Sequence, residues 1–238
     1  MSSMSLVSKA VRSLGHPVSI RTVRRILKEH GIFPTDWNKT HDWQGFFDAH
    51  KDVLAATDFL THEVLTPNGL ERVHVLFFED ITTREVWCGG MMAEPDGDFM
   101  AQVARNQTDA FDGKLLKMKY LIHDNDPLFK GRFDKYIESA GCRIKKLPPR
   151  SPELNGYMES FIKTIKTECL NHFILTSIGQ LRYVVDEYLE YYNHERPHSG
   201  LGGRMIDPLP QDEDGEVVTF TRLGGFLKSY RKVKPKAA

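Results

Sequence analysis

An α/β fold is predicted by two patterns that follow one another along the sequence. First, three runs rich in Val, Ile, Phe and Trp cover residues 53–60, 71–81 and 85–92. The turn signals Thr66-Pro-Asn-Gly69 and Thr82-Thr83 separate these runs, as expected for three antiparallel strands. Second, helical and strand-like stretches alternate in the part of the chain that follows. Together these patterns favour one mixed sheet covered by helices.

The later elements complete the predicted order. The expected elements are a helix over 98–111, a strand over 118–123, a helix over 129–140, a strand over 142–147 and a helix that bears Glu159. Three strands in a meander, followed by alternating helix and strand, is the order of the ribonuclease-H-like fold. In that fold the functional side chains gather at the first strand, the fourth strand and the last helix. The sequence therefore predicts a mixed five-stranded sheet with helices.

Four segments are expected along the 238 residues. Residues 51–208 form the α/β core, and residues 36–50 form a connector before it. Residues 1–35 form a partial helix-turn-helix-like DNA-binding segment, and residues 209–238 form a basic tail with a candidate β-hairpin.

The helix predicted in the first segment has a basic face. Ser19 gives a cap signal, Gly31 gives a stop signal, and apolar residues between them have helical spacing. The residues that fall away from the apolar stripe are Arg21, Arg24, Arg25 and Lys28. This pattern is typical of a recognition helix that contacts DNA. The alternative is an amphipathic helix whose basic face is only solvated.

Charge is distributed unevenly along a chain whose formal net charge is zero. Residues 1–35 carry six basic residues against Glu29 alone, and the chain from Phe220 onward carries six basic residues and no acid. Basic ends around a neutral middle favour a polyanion such as DNA as the partner. Two solvated surface faces are the alternative.

The cysteine and hydropathy patterns indicate a compartment. Cys88, Cys142 and Cys169 are far apart without paired spacing, which favours a reduced intracellular protein without a structural zinc. No apolar run reaches transmembrane length, and the polar N-terminus has no signal-peptide core. We therefore expect a cytoplasmic, DNA-associated prokaryotic protein with no membrane partner.

Three acidic residues stand where a two-metal site needs them. Asp58 lies in the apolar run 53–60, Asp124 closes a strand-like run, and Glu159 begins a helical stretch. Two carboxylates at strand ends and a third on a helix can converge on two divalent ions that hold the attacking and leaving oxygens of a phosphodiester. For Asp124 the alternative is a turn aspartate, and Asp126 before Pro127 is the better turn candidate.

The helix that bears Glu159 has two predicted faces. Its expected buried residues are Met158, Ile162, Ile165 and Cys169. Lys163 and Lys166 share a second face with Glu159, where DNA phosphates can run along the helix. Ordinary surface ion pairs between these lysines and Glu159 are the alternative.

Four motifs resemble the integrase-core transposases of bacterial insertion sequences, which are relatives of retroviral integrase. They are Thr57-Asp58-Phe59, the stretch from His123 to Phe129, the stretch 147–159 and Tyr192-Asn-His-Glu-Arg-Pro-His198. The resemblance runs from about Ala49 to Pro208. It includes a separation of 34 residues between Asp124 and Glu159, close to the usual spacing of that family.

The resemblance implies a site and a reaction. Asp58, Asp124 and Glu159 would be the catalytic residues and metal ligands, and the family pattern favours Asp124 over Asp126. Because an all-carboxylate site is hard and oxygen-rich, we expect Mg²⁺, with Mn²⁺ able to substitute. The expected reaction is metal-dependent DNA cleavage and strand transfer by in-line phosphoryl transfer. The expected partners are the element ends, the target DNA and further copies of this chain.

The resemblance also assigns a DNA-handling role to the loop before the last core helix. The candidate contacts there are Arg150, Asn155 and Tyr157. A plain surface loop with a proline-ordered entry is the alternative. His123 is a candidate assistant to the acidic site, although a lone histidine is more often structural.

Other functions fit the sequence less well. A DNA-binding remnant or regulator that no longer transposes would keep the fold without the reaction. A ribonuclease H gives no role to the basic ends or to the motif Tyr192–His198. A tyrosine recombinase is disfavoured because the tyrosines of the last long helix have the spacing of core residues.

Overall fold

A computed structural model describes residues 11–12, 14–16, 18–30, 45–47, 49–146 and 156–234. The contacts divide the chain into two units, Met1–Lys51 and Asp52–Ala238.

The first unit contains helix α1 (Ile20–Glu29). Ser19 Oγ accepts a hydrogen bond from the backbone N–H of Thr22 at 3.1 Å, which satisfies an otherwise unpaired N–H at the start of the helix. Val23 is buried, whereas Ile20 and Ile26 are 45% and 42% exposed, so the apolar stripe is only partly covered. The helix-turn-helix and the domain boundaries stay predictions.

Five strands of the second unit form one mixed sheet. The strands are β1 (Leu54–Thr66), β2 (Gly69–Asp80), β3 (Val86–Met92), β4 (Tyr120–His123) and β5 (Arg143–Lys146). Their order is β3-β2-β1-β4-β5. The pairs β1–β2 and β2–β3 are antiparallel, and the pairs β1–β4 and β4–β5 are parallel. The predicted mixed five-stranded sheet is confirmed.

The first strand is longer than predicted. Instead of ending near Leu60, β1 pairs with β2 residue by residue up to Thr66 opposite Gly69. The turn is closed locally, because Thr66 Oγ1 donates to the carbonyl of Gly69 at 3.0 Å and accepts from the N–H of Asn68 at 3.3 Å. Gly69 has a φ of 114°, which favours glycine at this position. The hairpin therefore extends well past the end of β4.

Helices cover both faces of the sheet. They are α2 (Gly97–Gln107), α3 (Arg132–Ser139), α4 (Gly156–Glu168) and α5 (Ile178–His194). Phe78 belongs to a buried cluster with residues of α2 and α3, such as Met100 and Phe133. The preceding residue, Phe77, meets Phe161 of α4 edge to face at 5.0 Å between ring centroids. Since neighbouring strand residues point to opposite faces, these contacts place α2 and α3 on one face and α4 on the other.

Two predicted helices differ in detail. The helix expected over 98–111 ends at Gln107, where Thr108 Oγ1 donates to the carbonyl of Ala104 at 2.8 Å. On α4, Phe161 is buried in place of the predicted Ile162, which is only half-buried. The reason is the contact of Phe161 with Phe77, which turns the helix slightly from the orientation that the sequence suggested.

Helix α5 packs through its tyrosines and one asparagine. Tyr188 is fully buried, and its hydroxyl donates to Glu168 Oε2 at 3.0 Å. Burial and the neighbouring Glu168 raise the pKa of Tyr188. Asn193 pairs with the backbone of Val86, with Nδ2 donating to its carbonyl at 2.8 Å and Oδ1 accepting from its N–H at 3.1 Å. These contacts support the interpretation of the tyrosines as core residues.

A C-terminal hairpin is attached to α5 by a buried ionic contact. Its antiparallel strands are β6 (Glu216–Arg222) and β7 (Leu227–Val233). Arg222 Nη2 lies 2.8 Å from Glu195 Oε1, and Ser229 Oγ donates to Glu195 Oε2 at 2.6 Å. Arg222 was counted among the basic residues of the predicted tail, but the structure uses it to hold the hairpin.

Two further predictions concern cysteines and membranes. Cys88, Cys142 and Cys169 are free thiols. None of the described helices is both long and apolar enough to cross a membrane.

Arg222→Ala is expected to lower the free energy of unfolding by about 3 kcal/mol, because it leaves the buried carboxylate of Glu195 without its cation. Thermal unfolding and hydrogen exchange of β7 measure this effect. Lys228→Ala, at an exposed position of the same hairpin, should change stability by no more than about 0.5 kcal/mol. Equal stability of the two variants would contradict the assigned role of Arg222.

Candidate active site

The parallel pairing of β1 and β4 brings Asp58 next to Asp124. The register pairs Ala56 with Ile122, and Asp58 and Asp124 each lie two residues further along. Phe59 packs against the cluster beneath α2 and α3, so its neighbour Asp58 points to the face covered by α4. The same alternation on β4 puts Leu121 in that cluster and Asp124 on the face of α4. Both carboxylates therefore lie on one face of the sheet, just beyond the last parallel pair of β1 and β4.

The environment of Asp58 shows that three acidic side chains are close to it. Asp58 is half-buried, and its Oδ1 accepts from the N–H of Phe59 at 2.7 Å. The pKa of Asp58 is raised from 3.8 to about 6, mainly by burial, although this hydrogen bond lowers it. The negative charges of Asp124, Glu159 and Asp126 contribute smaller parts of the rise. The three predicted acidic residues are therefore close enough for their charges to interact.

Asp124 and Asp126 have different local roles. Asp124 is exposed, and its Oδ1 accepts from the N–H of Asp126 at 2.9 Å. Asp126 caps the single helical turn Pro127–Phe129, because its Oδ1 accepts from the N–H of Leu128 at 2.8 Å. Of the two, Asp124 has the larger effect on the pKa of Asp58. These contacts support Asp124 as the site residue and Asp126 as the turn residue.

His123 holds the backbone of Asp124 in place. The His123 side chain is buried and stacks on Phe129 at 4.4 Å between ring centroids. Its Nδ1 lies 2.6 Å from the carbonyl oxygen of Asp124, and its Nε2 lies 3.1 Å from Asp134 Oδ1. The His123 ring thus bridges the backbone of Asp124 and the carboxylate of Asp134. His123 therefore positions the site rather than forming part of it.

Asp134 completes this support from helix α3. Burial raises the pKa of Asp134, but hydrogen bonds from His123 and Lys146 outweigh burial and hold it below its usual value. Lys146 Nζ lies 2.8 Å from Asp134 Oδ2. The end of β4 is therefore fixed by ionic contacts from α3 and β5.

Glu159 lies in the first turn of α4, and the predicted lysines follow it along the helix. Glu159 and Lys163 are exposed, whereas Lys166 is half-buried. Lys166 borders a groove together with His62, Arg72 and His74. Burial lowers the pKa of His62, and the charge of Lys166 lowers it further. Glu63 also lines this groove, and its Oε1 lies 3.9 Å from Arg72 Nη2, so Lys163 and Lys166 are the lysines that follow the acidic site along α4.

The histidines and Arg72 of this groove were not among the predicted site residues. His62 follows Asp58 at an interval of four residues, so it lies on the same face of β1. Strand alternation alone gives this signal once the strand is known to continue beyond Leu60. Arg72 and His74 come from the paired strand β2, and only the register of the hairpin reveals them.

The structure describes only some of the other predicted DNA contacts. Tyr157 lies beneath the guanidinium of Arg84, whose Cζ is 3.5 Å from the ring centroid. Arg21 and Arg25 are exposed on α1, and Arg25 pairs with Glu29 at 2.8 Å. Residues Arg150 and Asn155, and the side chains of Arg24 and Lys28, lie outside the described residues.

Comparison with known proteins agrees with this fold. The family model of the integrase core domain matches residues 140–205, which include Glu159 and the motif Tyr192–His198. Transposase InsD of insertion element IS2A/D/F/H/I/K from Escherichia coli is 30% identical over 151 residues, covering 60% of this chain and 48% of InsD. An uncharacterized 39.2 kDa protein of insertion element IS476 from Xanthomonas euvesicatoria is 38% identical over 80 residues, 33% of this chain and 23% of that protein.

This chain is an integrase-core protein related to insertion-element transposases. The aligned part spans about a quarter of the IS476 protein and about half of InsD. A chain of the simian T-cell lymphotropic virus intasome, solved by cryo-EM with PP2A regulatory subunit B56 gamma, superposes with a TM-score of 0.50. The two chains are 16% identical, and the match covers 76% of this chain and 67% of the other. At this identity the likeness shows the fold alone.

The donor set of the integrase core suits a hard divalent cation. Within the described residues, no group of three or more His, Cys, Asp or Glu side chains stands close enough together to hold a metal ion. Asp58, Asp124 and Glu159 nevertheless offer the carboxylate oxygens that Mg²⁺ and Mn²⁺ prefer. Their mutual repulsion, seen in the raised pKa of Asp58, is what a cation would relieve. The residues present therefore fit such an ion by chemistry.

In buffer free of divalent metal, Asp58→Asn is expected to stabilise the protein at pH 7.5. The folded-state pKa of Asp58 is raised to about 6, so the stability that its protonated form contributes is lost as pH rises through that value. The substitution should then add about 1–3 kcal/mol at pH 7.5, and this gain should disappear as pH falls towards 3.8.

Thermal melts of both proteins over this pH range measure the difference. Asp112→Asn, at an exposed position, is the matched control and should leave the melting temperature unchanged at every pH. An Asp58→Asn variant that is less stable than the wild type at pH 7.5 would contradict the raised pKa of Asp58.

Proposed function

We propose that this integrase-core protein is a DNA transposase, a recombinase that cleaves DNA strands and transfers them with the help of divalent metal. The observation that carries the proposal is the register of β1 and β4, which puts Asp58 and Asp124 on one face of the sheet, where the negative charge of Glu159 on α4 also acts on Asp58. Strand β1, the end of strand β4 and the first turn of helix α4 supply these three groups. Carboxylates kept close together despite their repulsion are typical of a site that binds cations.

In the proposed reaction the nucleophile attacks a DNA phosphorus in line with the leaving 3′-oxygen. Water is the nucleophile in strand cleavage, and the freed 3′-hydroxyl is the nucleophile in strand transfer. Divalent ions, with Mg²⁺ preferred and Mn²⁺ able to substitute, would supply charge stabilisation for the attacking and leaving oxygens. Asp58 and Asp124 would hold one ion, and Glu159 would hold the other with one of the aspartates. No covalent bond between protein and DNA is required.

The surroundings of the triad suit DNA on the same side of the sheet. Lys163 and Lys166 extend from Glu159 along α4, and the groove beside Lys166 adds Arg72 from β2. Cations spaced along one surface neutralise successive phosphates. The proposed DNA contacts outside this surface are Tyr157, Arg150 and Asn155 near α4, and Arg21, Arg24, Arg25 and Lys28 of the first unit. Because two element ends must be joined to one target, several copies of the chain act together.

His123 and Asp134 serve the reaction by position. Their hydrogen bonds fix the backbone of Asp124 at the end of β4. A carboxylate that is fixed before substrate arrives loses less conformational freedom when it engages the ion.

Purified protein is expected to join a labelled duplex, made of the DNA that flanks this reading frame, to a target DNA in the presence of Mg²⁺ or Mn²⁺. Glu159→Gln should reduce joining by roughly 100-fold or more, because several kcal/mol of charge stabilisation are lost. Strand-joining products on a sequencing gel measure the effect. Glu138→Gln, on the exposed surface of α3, is the control and should join DNA as the wild type does.

Two results would sink the proposal. Joining that Glu159→Gln leaves unchanged would remove the acidic site from the reaction. Tight binding of the flanking DNA without cleavage or joining, under both metals, would favour a DNA-binding regulator that keeps the integrase fold.

A further inference from the structure

A second polar site lies beside α4. It is a cavity of about 260 Å³ between α4, the turn from β2 to β3 and the chain after α5. Its walls include the rings of Tyr157 and Tyr192 and the hydroxyls of Ser160 and Ser199. Pockets for drug-sized ligands run from roughly 300 to 1,000 Å³, so this cavity suits a smaller group. None of the three triad carboxylates lines it.

The cavity contains a buried carboxylate with an unused acceptor. Glu79 is 3% exposed, and its Oε1 accepts from Arg84 Nη1 at 3.0 Å. Its Oε2 has no hydrogen-bond partner within the described part of the chain. Burial raises the pKa of Glu79 to about 7, although the neighbouring Arg84 lowers it. A buried oxygen without a partner costs free energy, so its presence in a cavity wall points to a ligand that supplies a donor.

Arg84 is held in an unusual conformation at the same cavity. Its φ is 71°, a left-handed value that costs an arginine free energy. The turn is fixed by the N–H of Arg84, which donates to the carbonyl of Asp80 at 2.8 Å. The guanidinium then lies between the carboxylate of Glu79 and the ring of Tyr157. The protein thus presents one donor group and one acceptor group side by side.

The other basic groups of the cavity are already neutralised or uncharged. Arg196 makes a two-pronged contact with Glu168, at 2.6 Å from Nη2 to Oε1 and 2.8 Å from Nε to Oε2. His198 Nε2 lies 2.8 Å from the carbonyl of Tyr192, and its Nδ1 lies 3.2 Å from Arg196 Nη1. His198 therefore donates through Nε2 and accepts through Nδ1, as a neutral imidazole does. Burial lowers the pKa of His198, which also favours the neutral form of the imidazole.

We infer that this cavity binds one unpaired nucleobase of the DNA. Glu79 disfavours a phosphate or carboxylate, and Arg84 disfavours a cation, so the ligand is neutral. A base supplies N–H groups for Glu79 Oε2, a ring oxygen or nitrogen for Arg84, and a flat face for the tyrosine rings. Bases outside the stack are recognised in this way, by hydrogen bonds to the Watson–Crick edge and by stacking.

The inference rests on the proposed function, because it assigns a base to DNA that the triad cleaves or joins. Tyr157 lies two residues before Glu159 on α4 and Ser160 one residue after it, so both are about 3 Å or less from Glu159 along the helix axis, although they point to other sides of the helix. A DNA strand that crosses the start of α4 with a phosphate at Glu159 can therefore bring a neighbouring base to the cavity. The base specificity would then be set next to the scissile phosphate.

The test measures the affinity of the full chain for two probes by fluorescence anisotropy without divalent metal. One probe is the flanking-DNA duplex with a short single-stranded overhang, and the other has abasic sites in the overhang. The wild type should bind the intact overhang about 5- to 100-fold more tightly.

Two variants should bring this ratio close to one. Gly200→Phe adds a side chain at the cavity wall, where an added Cβ has open space and φ is not positive. Glu79→Gln keeps the shape and removes the charge. Gly97→Phe, at another open and unstrained glycine, is the matched control and should keep the wild-type ratio.

Equal affinity of the wild type for both probes would overturn the inference, and so would a Gly200→Phe variant that keeps the wild-type ratio. If the same preparation still joins DNA in a manner that depends on Glu159, the proposed function stands and only the base site fails. A wild type that neither binds nor joins the flanking DNA would overturn both.

Discussion

The short parallel pairing between β1 and β4 is the constraint on which the site depends. It extends over only three residue pairs, from Leu54 opposite Tyr120 to Ala56 opposite Ile122. The N–H of Lys119 donates to the carbonyl of Val53 at 2.8 Å and continues the contact at its lower end. Beyond the third pair the two strands no longer pair, because β4 ends and β1 continues into a long hairpin with β2. Asp58 and Asp124 lie just past this point, so a shift of one residue would turn one carboxylate to the other face.

Helix α4 packs on the face of the sheet where these two carboxylates lie. Met158, Phe161 and Ile165 are buried against the sheet, which fixes the rotation of the helix about its axis. That rotation directs Glu159 towards Asp58 and Tyr157 towards Arg84. A single packed helix therefore determines two polar surfaces, one with carboxylates and lysines and one with the base cavity. Rigid elements position functional groups more accurately than loops do, because their rotamers are limited by packing.

The sequence predicted those parts of the structure that local patterns control. Alternation and turn signals were sufficient for the sheet, and the triad was nominated by the strand and helix context of the three acidic residues together with the family resemblance. The length of β1 was missed because polar residues such as Thr61, His62 and Glu63 do not have the composition of a strand, and pairing with β2 overrides this preference. Phe161 was missed because a helix of this sequence has several possible buried stripes, and only the position of Phe77 selects one.

The base cavity could not be predicted, because its members are distant in sequence. Glu79 comes from β2 and Arg196 from the chain after α5, and although Arg196 lies in the motif Tyr192–His198, nothing in that motif indicates a partner near residue 79. The ionic contact between Arg222 and Glu195 has the same character. Such contacts appear only once the fold has brought the segments together, which is why charge runs in the sequence indicate partners poorly.

Both polar sites reduce the stability of the protein that contains them. Asp58 and Glu79 each have a raised pKa, mainly because burial disfavours their charged forms. Each therefore costs stability at a pH above its own folded-state value, and an apolar or amide side chain would avoid that cost. Residues that lower stability and make no compensating contact within the protein are expected where a ligand later supplies the missing interaction. For Asp58 the proposed ligand is a cation, and for Glu79 the inferred ligand is a group that donates hydrogen bonds. Asp58 and Glu79 lie on the same face of the β1–β2 pair, because Asp58 is paired with Phe77, two residues before Glu79. In the proposed complex one DNA strand therefore satisfies both carboxylates, with its phosphate near Asp58 and its base at Glu79.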